Sequence, residues 1–182
     1  MKCEELNTAR LKLRKFEPND LNFVYSHFSD KNISEFLYDH ESPTNIDEAK
    51  ELLDWCLNVK SPNHIRWCII HGDNLKQIGT CGFHNYDKIN NAAEIGYDIS
   101  AEYWNQGYMS EALREMLNYG YDVLKLNRIF ASVFILNIRS NKLLEKLGFR
   151  LEGIIRDKHL FRGKYYDHNL FSLLRKEKAT YL

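Results

Sequence analysis

Three β-patterned segments, Ile65 to Ile70, Gln77 to Tyr86 and Ala92 to Ile99, follow one another with only short turn-rich connectors between them, His71-Gly72-Asp73-Asn74 and Asp87-Lys88-Ile89-Asn90-Asn91. Connectors of that kind predict an antiparallel meander. The period then changes. Leu113, Met116, Leu117, Gly120, Tyr121 and Leu124 recur at helical spacing, and Arg128 to Leu136 is β-rich again, so a strand, helix, strand unit follows the meander.

The flanks fit the same plan. Arg10 to Phe16 alternates as a strand, and Pro18-Asn19-Asp20 opens a helical pattern through Leu21, Val24, Tyr25 and Phe28. Ile46, Ala49, Leu52, Leu53, Cys56 and Leu57 share a face, which predicts a helix from a Thr44 or Asn45 cap to about Asn58. Leu143, Leu144 and Leu147 cluster on a short helix that stops at Gly148, and Phe149 to Ile155 and Tyr166 to Leu174 read as two final strands. The expected class is α+β: one largely antiparallel sheet with about four helices.

A chain of 182 residues suggests one domain spanning 1–182, and 44% hydrophobic residues can fill its core; Trp55, Trp67, Tyr25, Phe28 and Phe36 are mostly assigned there by default, with lining of a substrate pocket the alternative for some of them. Lys plus Arg and Asp plus Glu number 25 each, so no global field steers the molecule to nucleic acid or an anionic membrane. Cys3, Cys56, Cys68 and Cys81 show no C-x-x-C pair, which argues against a disulfide framework or a structural metal. Met1 to Leu6 lacks the apolar stretch of a signal peptide, and runs such as Trp67-Cys68-Ile69-Ile70 are too short to span a membrane. The expected setting is reducing and cytoplasmic, with no metal and no membrane partner.

The chemistry concentrates where the third segment meets the regular helix: Glu94-Ile95-Gly96-Tyr97-Asp98-Ile99, then Tyr103-Trp104-Asn105-Gln106-Gly107-Tyr108-Met109-Ser110. Unpaired N–H groups and the positive dipole end at a helix start favour an anion, and glycine lets backbone approach it closely. A pyrophosphate suits that geometry. Ser110 adds a hydroxyl, and Asn105 is the non-glycine type that best tolerates a left-handed backbone. An ordinary loop fits the same letters.

Set in context, the stretch resembles the GNAT superfamily of acyl-CoA N-acyltransferases, over most of the chain. The context is the strand ending at Leu136, Asn137-Ile138-Arg139-Ser140-Asn141, and Leu143-Leu144-Glu145-Lys146-Leu147-Gly148-Phe149. Within it, the chain is similar to the branch of ribosomal-protein N-terminal acetyltransferases. The matching residues are Thr8-Ala9-Arg10-Leu11-Lys12-Leu13-Arg14, Glu94-Ile95-Gly96-Tyr97, the Tyr-Trp-x-x-Gly-Tyr loop at Tyr103, and Glu152-Gly153. It departs from the branch at Asn105, where the family loop usually carries glycine.

The resemblance implies a mostly antiparallel sheet of six to seven strands with a splayed parallel pair, and acetyl transfer from acetyl-CoA to an amine. The pantetheine arm would lie in the splay along the strand ending at Asp98 and Ile99, with Asn137 on its other side. The diphosphate would sit on the amides from Trp104 to Ser110, and N–H groups near Ile99 would polarise the thioester carbonyl.

The tyrosine that many superfamily members use as proton donor corresponds here to Leu144, and the branch's substitute serine maps to Ser140. Ser140 also reads as an ordinary first-turn residue beside the Asn137 cap. The branch's glutamate base maps to His159, whose ordinary alternative is an exposed hairpin imidazole; Glu94 is its rival, or else a strand carboxylate paired across the sheet.

Seven basic residues against three acidic ones between Lys142 and Lys164 can face RNA, hold the CoA phosphates, or form a solvated face. In relatives of this type the segment from Asp30 to Thr44 borders the acceptor; there Glu35, Tyr38, Asp39, His40 and Glu41 can attract a cationic amine or form a plain acidic loop. A protein N-terminal α-amine is the first acceptor expected, with a polyamine, amino acid or antibiotic amine as the alternative. Asn105 and Leu144 keep a non-catalytic CoA-binding module open, and a homodimer stays open too.

Overall fold

Leu11 and Leu13 are buried and alternate with the exposed Lys12 and the half-buried Arg14, which pairs with the buried Asp20 at 2.7 Å. A computed structural model describes residues 3–36, 41–57 and 63–180. In it, β1 (Leu6–Asn7) and β2 (Leu11–Lys15) open the sheet. A 3-10 turn at Pro18–Asp20 leads into α1 (Leu21–Phe28), and α2 (Lys31–Ser34) follows. Helix α3 (Ile46–Cys56) starts where the Asn45 side chain accepts from the Asp47 and Glu48 N–H groups, and it buries Ala49, Leu53 and Cys56. It ends at Cys56; the expected end, Asn58, lies outside the described residues.

The meander is β3 (Ile65–His71), β4 (Gln77–Asp87) and β5 (Ala92–Ile99). Then come α4 (Tyr108–Asp122), β6 (Arg128–Phe134), α5 (Ile138–Lys146) and the hairpin β7 (Arg150–Phe161) with β8 (Lys164–Leu174). The strand order is β1-β2-β3-β4-β5-β6-β8-β7, and β5 with β6 is the parallel pair. The described residues therefore hold eight strands and five α-helices, where sequence led us to expect six to seven strands and about four helices. The two extra short elements, β1 and α2, have two and four residues, below the length at which a period can be recognised. The last strands are longer than expected because Arg156, Asp157 and Lys158, which look like a loop, lie on an exposed sheet edge.

Both sheet faces are covered. Helix α4 lays Leu113, Met116 and Leu117 on one face against Trp67, Phe83 and Ile129, while α1 and α3 cover Cys68 and Ile70 on the other. A Cβ added at Gly120 would stand 2.7 Å from the Phe83 ring, so the glycine in mid-helix is what lets α4 approach β4. Trp67 is fully buried, but Trp55 departs from the core assignment: it is 43% exposed and stacks on His64 at 4.2 Å. Among the described residues no helix is long and apolar enough to cross a membrane.

Candidate active site

From Glu94 to Ile99, β5 pairs with β4 without a break, but its pairing with β6 stops after Ala92, Ala93 and Glu94 meet Arg128, Ile129 and Phe130. Antiparallel ladder bonds alternate along a strand, and Ser100 N–H donates to the Ile78 carbonyl at 2.8 Å. Asp98 and Gly96 therefore turn their main-chain groups to β4, whereas Tyr97 and Ile99 turn theirs to the side that β6 has left. The Ile99 carbonyl accepts the Trp104 indole N–H at 2.8 Å. The Tyr97 main chain and the Ile99 N–H face a cleft of about 760 Å³ that passes between the splayed strands.

At one end of the cleft the loop after β5 sets the start of α4. Asn105 and Gly107 have φ of 59° and 82°, the left-handed region that asparagine and glycine best adopt. The first amide to bond within the helix is Glu111 N–H, to Gly107 O at 3.0 Å, so the N–H groups of Tyr108, Met109 and Ser110 precede the helix's own ladder. Trp104 N–H, in contrast, is already used by Ala101 O at 3.1 Å.

Arg10 braces this loop from behind. Its guanidinium donates to Gln106 O at 3.1 Å and to Glu111 Oε2 at 2.7 Å, and lies 4.2 Å from the Tyr108 ring centroid. Arg139, Lys142 and Lys146 line the same cleft from α5. Orphan amides, a helix dipole and cationic side chains are features that favour a bound anion.

Tyr97 points to the α4 side with Ile95 and Ile99, because side chains alternate along a strand. Its hydroxyl lies 2.6 Å from Ser140 Oγ. Ser140 N–H donates to Asn137 Oδ1 at 3.1 Å, so the Asn137 side chain caps α5 at the cleft wall. Burial pushes the Tyr97 phenol well above its ordinary range, against a smaller opposing effect of the Ser140 hydrogen bond, and keeps it protonated. Leu144 is fully buried in the core.

Glu94 is on the other sheet face, where His84 Nε2 is 3.6 Å away and Asn85 Nδ2 donates at 2.9 Å. Burial raises its pKa, but the nearby His84 and the Asn85 hydrogen bond outweigh that and hold it at about 2. His159 and His168 stand nearby with ring centroids 4.8 Å apart. His159 Nδ1 is enclosed and has no hydrogen-bond partner among the described residues, and burial lowers the pKa of His168. Phe36 and Phe134 complete this end.

Asp98, Ile99, Trp104, Asn105, Gly107, Tyr108, Met109, Ser110, Asn137, Ser140, His159 and Glu94 thus line one cleft. Gln106 does not: its side chain turns back to donate to Glu102 O at 2.6 Å. The Asp98 side chain points away as well. It is buried against Arg66, the His27 Nε2 at 2.6 Å and the Thr80 hydroxyl at 2.7 Å. Burial raises its carboxyl, but the Arg66 charge and His27 bring it down to about 2.

Of the acceptor-side residues expected on the segment from Asp30 to Thr44, Glu35 is exposed and Glu41 pairs with Arg162 at 2.9 Å, while Tyr38, Asp39 and His40 lie outside the described residues. Tyr97, Arg139 and His168 were missed. Tyr97 sits inside the Glu-Ile-Gly-Tyr motif, and the alternation along β5 was the signal that could have found it.

Residues 10–150 match the family described as Acetyltransferase (GNAT) domain. The chain is 36% identical over 177 residues to an uncharacterized N-acetyltransferase, p20, of Bacillus licheniformis, covering 97% of this chain and 99% of that one. It is 29% identical over 169 residues to YdaF of Bacillus subtilis (strain 168), named a putative ribosomal N-acetyltransferase, covering 91% of each. Its fold matches the crystal structure of spermidine N-acetyltransferase from Vibrio cholerae in complex with CoA and spermine, with a TM-score of 0.83 at 23% identity over 94% of this chain and 99% of that one. The splayed strands, the open helix start and these likenesses converge: the chain belongs to the GNAT acetyltransferase family and is an acetyl-CoA-dependent N-acetyltransferase.

Proposed function

We propose that the chain acetylates the α-amine of a protein N-terminus by direct attack on acetyl-CoA in a ternary complex. The pantetheine arm takes the place of the missing strand along Tyr97 and Ile99, its amides satisfying main-chain groups that β6 leaves unpaired. The diphosphate rests on the Tyr108, Met109 and Ser110 amides. The Ile99 N–H polarises the thioester carbonyl and takes up charge as the carbonyl carbon becomes tetrahedral.

The observation that carries the choice of acceptor is the charge of the cleft. Among the described residues lining it, the carboxylates are Glu94 and Asp98, and Asp98 is spent on Arg66 and His27. Glu94, which Asn85 and His84 contact without a full cation, is the anion left to face an ammonium, and one anion suits one ammonium. An α-amine with a pKa near ~8 is also far easier to deprotonate at neutral pH than an alkyl ammonium near ~10.4. A carboxyl held at about 2 is a poor proton acceptor from such an amine, so Glu94 holds the ammonium and His159 is the better base. As the nitrogen attacks, the C–N bond forms, the C–S bond breaks, the electron pair leaves on sulfur, and the amine proton passes to His159.

The name of YdaF, a putative ribosomal N-acetyltransferase, supports this acceptor, while the spermine bound in the Vibrio cholerae enzyme supports a polyamine as second reading. The four free cysteines support a reducing, cytoplasmic setting. The test is thiol release from acetyl-CoA with a panel of peptides, spermidine and spermine, followed by mass spectrometry of the product. α-Acetylated peptide is expected. Turnover with polyamines alone would replace the acceptor, and CoA binding without release across the panel would favour a non-catalytic module.

A further inference from the structure

Tyr97 and Ser140 come from different elements, β5 and α5, on opposite sides of the splay, yet their oxygens meet at 2.6 Å. Each hydroxyl has one proton, so only one of the two can donate to the other. A phenol is the stronger acid and an aliphatic hydroxyl the stronger acceptor, which directs the bond from Tyr97 to Ser140. Ser140 Oγ has no other hydrogen-bond partner among the described residues, and Ser140 lines the cleft. Its own proton is then left to point into the space between the strands.

We propose that Tyr97 is a positioning residue that, by donating to Ser140, fixes the serine hydroxyl as a hydrogen-bond donor to the sulfur of the departing CoA. The inference rests on the acetyl-CoA reading above and deepens it. No proton needs to move within the pair: the C–S electron pair ends on sulfur, Ser140 O–H donates a hydrogen bond to that thiolate, and both hydroxyls keep their protons. The arrangement also explains how a chain with Leu144 at the superfamily's tyrosine position still offers its leaving group a donor. Here the phenol comes from the strand and acts through the serine.

The test needs CoA binding and not turnover alone. A hydrogen bond donated to the charged form of an acid lowers its pKa, so bound CoA should titrate below the ~8.5 of an ordinary thiol, read by thiolate ultraviolet absorbance against pH. In Tyr97→Phe the bound thiol should return toward the free value. With the acceptor found above, kcat should fall about tenfold or more while KM for acetyl-CoA stays unchanged. Ser140→Ala should act in the same way, and the double variant should lose little more than either single one, because the two act as a unit.

Tyr97→Phe keeps the ring, and its thermal melt checks folding. The proposal is overturned if Tyr97→Phe leaves both the thiol titration and kcat unchanged, if it raises KM alone, or if the two losses simply add. Calorimetry of wild type with CoA separates the levels. Binding without a thiol shift defeats the relay alone, and absence of binding defeats the acetyl-CoA reading beneath it.

Discussion

The guanidinium carbon of Arg139 lies 3.9 Å from the ring centroid of Trp104, so a residue of α5 and a residue of the loop before α4 meet where the two splayed strands hand over to their helices. The same Trp104 holds the Ile99 carbonyl through its indole N–H. A cation over an indole is worth about 0.5–2 kcal/mol, and Arg139 also adds positive charge near the diphosphate seat. Arg139→Ala should weaken acetyl-CoA binding by roughly threefold to thirtyfold in calorimetry, and Arg139→Lys by less because it keeps the charge without the planar stack. An unchanged Kd in Arg139→Ala would remove the pair from cofactor binding.

The loop tolerates its one departure from the family pattern because of backbone conformation. Asn105 sits at φ 59°, where asparagine is at ease and glycine equally so. Asn105→Gly should leave the KM for acetyl-CoA within about twofold, whereas Asn105→Val forces a β-branched residue into the left-handed region at a cost of about 1–3 kcal/mol and should raise it. Equal KM values for the glycine and valine variants would contradict the role of that backbone.

At the acceptor end Glu94 and His159 should separate by kinetic signature. Glu94→Gln should raise KM for the amine tenfold or more while KM for acetyl-CoA holds, since it loses an anion and not a base. Because that carboxyl is held at about 2, no limb of the pH profile between about 4 and 5 should belong to it. His159→Ala should lower turnover more than it weakens acetyl-CoA binding. An unaltered pH–rate profile in His159→Ala would falsify its assignment as base.

Acid stability should trace to the buried Asp98, Arg66 and His27 cluster. The folded Asp98 pKa, about 2, lies below the ~3.9 of an unfolded chain, so the unfolded state binds the proton more readily. The contribution is therefore fully present above about pH 4 and is lost as pH falls toward 2. Urea midpoints should decline across that window. Asp98→Asn leaves Arg66 buried without its partner and should cost about 3–5 kcal/mol at neutral pH. It should also flatten the acid decline; an equally steep decline in the variant would place the cause elsewhere.

Much of this is legible in the sequence, and the reason differs by element. The meander, α3, α4 and α5 are legible from their apolar periods, and α3 and α5 also carry recognisable ends, Asn45 for the one and Asn137 with Gly148 for the other. The splay was legible only through family likeness, since nothing local in Ile95 to Ile99 states that β6 will diverge after Phe130. The turn of Gln106 away from the cleft and the capture of the Asp98 side chain by Arg66 depend on partners distant in sequence, and no spacing rule reaches them. The Tyr97 and Ser140 contact joins residues 43 positions apart and was hidden for the same reason.

Three residue pairs, Ala92 with Arg128 through Glu94 with Phe130, are the ladder that joins a five-strand slab to a three-strand slab. Loss of ladder bonds there leaves β5 and β6 with the shortest join between any two of the long strands, and a ligand whose amides bridge it acts as a suture. Loading the protein should therefore quiet amide exchange at Tyr97 and Ile99 first, so that where the architecture is thinnest, occupancy itself supplies the missing stitch.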